Sequence, residues 1–169
     1  MMPEQKESRE QWYVNAIIER IKKDSAMAAA LKKADNPSTE YLAWEYLADY
    51  KVDLENSRER VPYVTVSAAL ARAKPATDGF LSIGQAIARS GKDGIPSDQE
   101  RARLRRVLAC ETTVELCPIL RPLLNLIQSR DIKISYGQLL SDLCWFDKNP
   151  QKTKARWAQS FFRTTEADE

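Results

Sequence analysis

Histidine is absent from this 169-residue chain. That rules out Ser-His-Asp and Cys-His nucleophilic arrangements and any imidazole-ligated metal. Glycine is scarce, with five residues, and none falls in a glycine-rich phosphate loop. A zinc-finger spacing and an RNP aromatic motif are missing as well. The three cysteines, Cys110, Cys117 and Cys144, are odd in number, form no CxxC and sit in apolar runs. They read as reduced core thiols of a cytoplasmic protein. No apolar run reaches transmembrane length, and the polar start PEQKESREQ does not read as a secretory leader. Acids are scattered at helix-surface spacing, so no metal or other cofactor is expected. Pairs such as Asp49/Asp53 and Glu111/Glu115 read as solvated, and catalysis is disfavoured.

What is present is a helix-forming composition: 43% hydrophobic, 30% charged, and rich in Ala, Leu, Arg, Lys, Glu and Gln. No window alternates β-branched residues. The expectation is an all-α protein of roughly nine helices, with length for one well-buried domain or two small bundles packed in one chain. The breaker Lys74-Pro75-Ala76-Thr77-Asp78-Gly79 marks a boundary between an N-terminal helical bundle, residues 1–75, and a C-terminal one, residues 80–169.

Periodicity places a first helix over Ser8–Lys23 with Tyr13, Val14, Ile17, Ile18 and Ile21 inward. A short alanine-rich helix, Ala26–Lys33, follows. Thr39–Val52 reads as a third helix, apolar around much of its circumference. Such a helix is either central to a core or covered by a partner, and the core is the favoured reading. After a polar connector, Asp53–Arg60, Pro62 suits the first turn of a helix running to Ala73. Ser82 caps the next, whose Gly84 and Ala88 leave a groove for close approach of another helix. Gly91 is placed to stop that helix in the left-handed conformation. Ser97 and Glu100 form a capping box for the following helix. Leu116–Ile127 carries the strongest apolar face, with Pro118 and Pro122 fitting if the helix begins near Pro118 or kinks at Pro122. Ser135 opens an eighth helix. Asn149 caps the last, with Pro150 first inside, and the acidic tail Glu166–Glu169 is expected to fray.

Charge is uneven. Residues 1–60 hold 10 Lys and Arg against 12 Asp and Glu, and residues 61–169 hold 16 against 12. Arg101, Arg103, Arg105 and Arg106 fall within six residues, and from Lys148 to Arg163 there are five cations and no acid. Two basic helix surfaces suit phosphate contacts, because the guanidinium fork matches phosphate oxygens. An ordinary solvated helix face is the competing reading. The stretch Gly91–Pro96 is long and proline-containing for a helix-turn-helix, so backbone binding of nucleic acid without sequence readout is favoured. Helix geometry nominates Arg101, Arg105, Lys152 and Arg156.

SIGQAIARSG (Ser82–Gly91), the arginine-rich helix after it, LRPLL (Leu120–Leu124), QLLSDLCWFDK (Gln138–Lys148) and ARWAQSFF (Ala155–Phe162) together resemble the small subunit of the type I-E CRISPR surveillance complex Cascade, the CasB family. The likeness runs over about residues 80–163. It is thin before that, where NSRER (Asn56–Arg60) carries it. The resemblance implies two small helical bundles, no catalysis, and two copies of the chain head to tail along the complex. It implies contacts to the backbone subunits that hold the guide RNA and to the large subunit, and binding of the R-loop, especially the displaced DNA strand. It adds Arg58, Arg121 and Lys148 as phosphate contacts. Two departures weaken the match: Pro122 stands where the family often has a second basic residue, and the tail is acidic. A purely structural scaffold subunit and an independent DNA-binding regulator are the competing functions.

Overall fold

A computed structural model describes residues 6–167, and among them nine α-helices and no strand are present. The helices are α1 (Arg9–Lys23), α2 (Ser25–Lys33), α3 (Trp44–Asp49), α4 (Ser57–Ala73), α5 (Ile83–Arg89), α6 (Asp98–Leu108), α7 (Thr113–Ser129), α8 (Tyr136–Trp145) and α9 (Pro150–Ala167). None is long and apolar enough to cross a membrane. The backbone of Glu166 and Ala167 continues α9. The last two residues of the tail expected to fray lie outside the described residues.

Local chemistry sets most boundaries. Ser8 and Asp24 cap α1 and α2 through the Gln11 and Met27 amides, and the five apolar residues predicted for α1 are all buried. Ser82–Gln85 and Ser97–Glu100 are both reciprocal capping boxes, each satisfying two orphan amides of a helix start.

Three segments differ from the sequence expectation. Residues 39–52 are not one α-helix but a 3₁₀ segment, Pro37–Ala43, followed by α3. Asn36 accepts the Ser38 amide and Pro37 takes the first position, which starts the chain in the tighter wind. Ala43 and Leu47 are buried there, but Tyr41 is 59% exposed and Trp44 is also exposed, so the core reading of this segment fails for those two rings. Helix α4 begins at Ser57, capped by Asn56, five residues before Pro62. The polar connector is therefore partly the first turn of α4. Gly91 is extended, with φ −69° and ψ 165°, and the left-handed residues are Asp93 and Gly94. Gly91 is needed for space instead: a Cβ there would lie 2.4 Å from the Ile95 carbonyl oxygen.

Helix α4 is the centre of the molecule. Every residue from Pro62 to Ala71 is buried, where the pattern indicated only a stripe. Its small side chains, Ser67, Ala68, Ala69 and Ala71, let α1, α2, α7 and α8 pack around it. The phenol of Tyr13 and the Ser67 hydroxyl, 2.6 Å apart, share a buried hydrogen bond. Packing runs across the Lys74–Gly79 break: α1 lies on α8, α4 on α7, and the buried residues form one connected core. At the break, Asp78 accepts the Tyr136 and Gly137 amides and so caps α8 from outside. Pro118 and Pro122 both lie inside α7, which starts at Thr113 behind its Thr112 cap.

The predicted close approach at Gly84 is made by α9. A Cβ on Gly84 would lie 2.1 Å from the Trp157 carbonyl oxygen, so only glycine allows this contact. Helix α5 packs chiefly on α9 and then on α6.

Candidate nucleic-acid interface

The end of α8 builds the most informative surface. After Trp145 the chain tightens into a 3₁₀ turn, Phe146–Lys148. In that wind residues three apart eclipse each other. Phe146 goes into the core, where it stacks near Trp157 at 6.2 Å between ring centroids. Trp145 and Lys148 stay outside, with the ammonium 4.0 Å from the Trp145 ring centroid. Asp147 accepts the Thr113 amide at 2.8 Å, which ties the turn to the start of α7. Asn149 then caps α9 by accepting the Lys152 amide at 3.1 Å. Lys148, Lys152 and Arg156 follow at intervals of four.

Two depressions adjoin here. One, of about 480 Å³, lies between the starts of α1 and α4 and the end of α8, and is lined by Arg9, Arg58, Tyr63, Trp145 and Lys148, among others. The other, of about 330 Å³, is lined by Trp145, Lys148, Asn149, Lys152 and Arg156, among others. Trp145 and Lys148 belong to both. Four predicted cations, Arg58, Lys148, Lys152 and Arg156, therefore share one continuous surface. The N-terminal ends of α4 and α9, at Asn56 and Asn149, open on it as well and add positive helix-end potential.

The cations are not equally free. Arg58 is 3.6 Å from Asp147, yet its side chain is 74% exposed. Arg156 is paired with buried Asp142, which also accepts the side-chain amide of Gln138 and the Trp157 indole N–H. One edge of the Arg156 guanidinium is thus fixed while the rest of this half-exposed group is open to a phosphate. Lys148 and Lys152 are exposed and have no ion pair among the described residues.

Three of the seven predicted residues lie apart. Arg101 and Arg105 are on α6, which lines neither depression; Arg101 reaches Asp98 at 3.8 Å, and Arg105 is exposed. Arg121 is corrected. The sequence put it on the exposed side with Asn125, but its side chain is 15% exposed and its Nε lies 3.5 Å from Asp35 Oδ1. Asp35 also holds Arg72 of α4, so Arg121 joins α7 to the chain after α2. Lys154, which the sequence grouped with the cations of α9, is buried and paired with Glu111 at 3.0 Å.

Arg9 was missed. It lines the first depression, pairs with Glu59 at 2.6 Å and lies over the Tyr63 ring at 5.4 Å. Nothing in its surroundings in the sequence marks it, because the partners are some 50 residues away. Cys144 also lines this depression. Burial, helped by Glu10 and Glu59, pushes its thiol up to about 12, so it stays protonated and is not a nucleophile. Among the described residues no group of Cys, Asp and Glu is arranged to hold a metal ion.

Known proteins share this architecture. A chain of a "CRISPR RNA-guided surveillance complex" superposes with TM-score 0.74 at 23% identity, covering 94% of each chain. CasB of M. ruber gives 0.75 at 24% identity, covering 96% of this chain and 97% of its own. CasB from Thermobifida fusca gives 0.63 at 15%, covering 91% and 98%. At these identities the likeness shows a shared fold. Curated protein sequences give no match. The family model for CRISPR-associated protein Cse2 matches residues 27–162. The resemblance read from SIGQAIARSG, LRPLL, QLLSDLCWFDK and ARWAQSFF, the superposed CasB structures and this match agree, and the chain belongs to the Cse2 family of CRISPR-associated proteins.

Proposed function

We infer that this chain is a non-catalytic subunit of an RNA-guided CRISPR surveillance complex in the cytoplasm. In this reading it binds the nucleic-acid backbone without reading sequence and steadies the DNA strand displaced when the guide pairs with its target. The observation that carries it is the continuous surface of Arg58, Lys148, Lys152 and Arg156, with the ends of α4 and α9 behind it. Guide pairing exchanges one duplex for another at near balance, so a few phosphate contacts are enough to shift it. Arg101 and Arg105 supply a second, separate patch, and Arg121 serves the fold. The partners are the backbone and large subunits of the complex, a second copy of this chain, and the R-loop.

A scaffold role without nucleic acid is the second reading. It is favoured by one observation: Arg58 and Arg156 each already have an acid partner.

Filter binding of the full chain to single strands of unrelated sequence, over a salt series, separates the two. Backbone binding predicts equal affinity for all sequences. It also predicts a log–log salt slope of about −3 for four contacts, at about 0.7 per contact on a single strand. A scaffold gives no binding at any salt.

A further inference from the structure

Trp145 and Lys148 line both depressions of the basic surface. They form the ridge between the Arg58 side and the Lys152–Arg156 side. A strand whose phosphates are held on both sides has to cross this ridge, and what it meets there is an indole.

That indole is placed as a core tryptophan would not be. It closes a helix whose neighbouring residues Leu143 and Phe146 are fully buried, yet it is 53% exposed. Among the described residues it makes no ring–ring contact, and its Nε1 makes no hydrogen bond, unlike those of Trp44 and Trp157. The group over its face is the Lys148 ammonium. A cation–π contact at an exposed site is weak, and rotation about the lysine stem removes it without any backbone change. The depression beside the ring, about 480 Å³, has the volume of a small-ligand site. Tyr63 lines it, and its buried hydroxyl has no hydrogen-bond partner among the described residues.

We propose that Trp145 is a stacking platform for one unpaired base of a single-stranded nucleic acid, with Lys148 leaving the ring for the adjoining phosphate. This rests on the backbone-binding reading above and narrows it: the ligand is a single strand, with a base turned toward the protein at this ridge. Every base has a π-face, so the contact adds affinity without sequence preference. A duplex keeps its bases stacked on one another and gains nothing from the ring.

The test uses the full chain and three ligands of equal length at one low salt concentration: a mixed-sequence DNA single strand, an abasic strand and a duplex. Trp145→Leu is expected to weaken the base-bearing strand roughly five- to a hundredfold. Binding of the abasic strand and the duplex, and the thermal unfolding midpoint, are expected to stay unchanged. Trp145→Phe is expected to keep most of the affinity. Equal loss on all three ligands would make Trp145 a support for the cations. No loss on any would remove the ring from the interface. Either result overturns the proposal and leaves backbone binding standing, whereas a wild-type chain that binds none of the three overturns both.

A second readout leaves residue 145 intact. In a Trp12→Phe/Trp44→Phe background, the base-bearing strand is expected to quench the exposed indole and the abasic strand is not. Equal emission with both strands also overturns the proposal.

Discussion

Trp157 donates its indole N–H to Asp142 across the α8–α9 contact, at 2.9 Å, and the same carboxylate holds Arg156. One buried acid thus positions a core ring and a surface cation. Asp142→Ala strands the indole N–H in the core and is expected to cost about 1–3 kcal/mol. The measurement is a lower urea midpoint at unchanged m-value. Asp142→Asn keeps an acceptor for Trp157 and loses the charge and the oxygen shared by Arg156 and Gln138, so its midpoint is expected between the two.

Gly84 sets the distance between α5 and α9. A Cβ there meets the Trp157 carbonyl oxygen at 2.1 Å and Ser160 Cβ at 3.0 Å. The first of these is backbone and cannot swing away, so α9 itself has to shift. Gly84→Ala is expected to destabilise by about 1–3 kcal/mol, read as a fall in thermal midpoint. Because α9 carries Lys152 and Arg156, the same variant is expected to weaken single-strand binding.

Arg121 and Lys148 are expected to fail in opposite ways. Arg121→Ala removes one of two guanidiniums from Asp35. With Arg72 still in place, the cost is expected near the low end of about 1–3 kcal/mol, with the salt slope of binding unchanged. Lys148→Ala is expected to leave the unfolding midpoint within about 0.5 kcal/mol and to make the salt slope shallower by about 0.7. Paired unfolding and salt-titration curves check both.

Alkaline pH is expected to weaken the fold through two of its thiols, buried Cys117 and half-buried Cys144. Burial pushes Cys117 up to about 11 and Cys144 up to about 12, against about 8.5 for an unfolded thiol. Below about 8.5 both states hold these protons and the full stability is present. Between about 8.5 and about 11 the unfolded chain loses the Cys117 proton while the folded chain keeps it, so stability falls as pH rises. The fall for Cys144 continues to about 12. Burial also raises Tyr13 and Tyr63, which extends the loss upward. Urea midpoints between pH 7 and 10.5 are expected to fall above about 8.5, and Cys117→Ala is expected to make that fall shallower while the Cys144 part remains.

Much of the fold was legible because its signals are local. The stripe of α1, the caps at Ser82, Ser97 and Asn149, and the small-residue groove at Gly84 each depend on residues within one or two turns. What was not legible depends on distant partners. The start of α4 was missed because Pro62 imitates a first turn, while Asn56 supplies the cap that moves it earlier. The full burial of α4 follows from helices that surround it and not from its own period. The cations divide in the same way. Lys148, Lys152 and Arg156 lie four residues apart and could be read together. Arg121 looked exposed because Asp35, which draws it inward, is far away in sequence, and Arg9 reaches the surface only because α1 packs beside α8.

The displaced-strand role is tested most directly by the lifetime of the R-loop on the assembled complex, with Arg58→Glu and Lys148→Glu introduced together in this chain. Both side chains are exposed, so the fold and assembly are expected to persist. The R-loop is expected to decay at least tenfold faster than with the wild-type chain, in proportion to contacts worth about 1.4 kcal/mol per decade of rate, and the difference should shrink at high salt. An R-loop lifetime equal to that of the wild type at low salt would contradict a role for this surface.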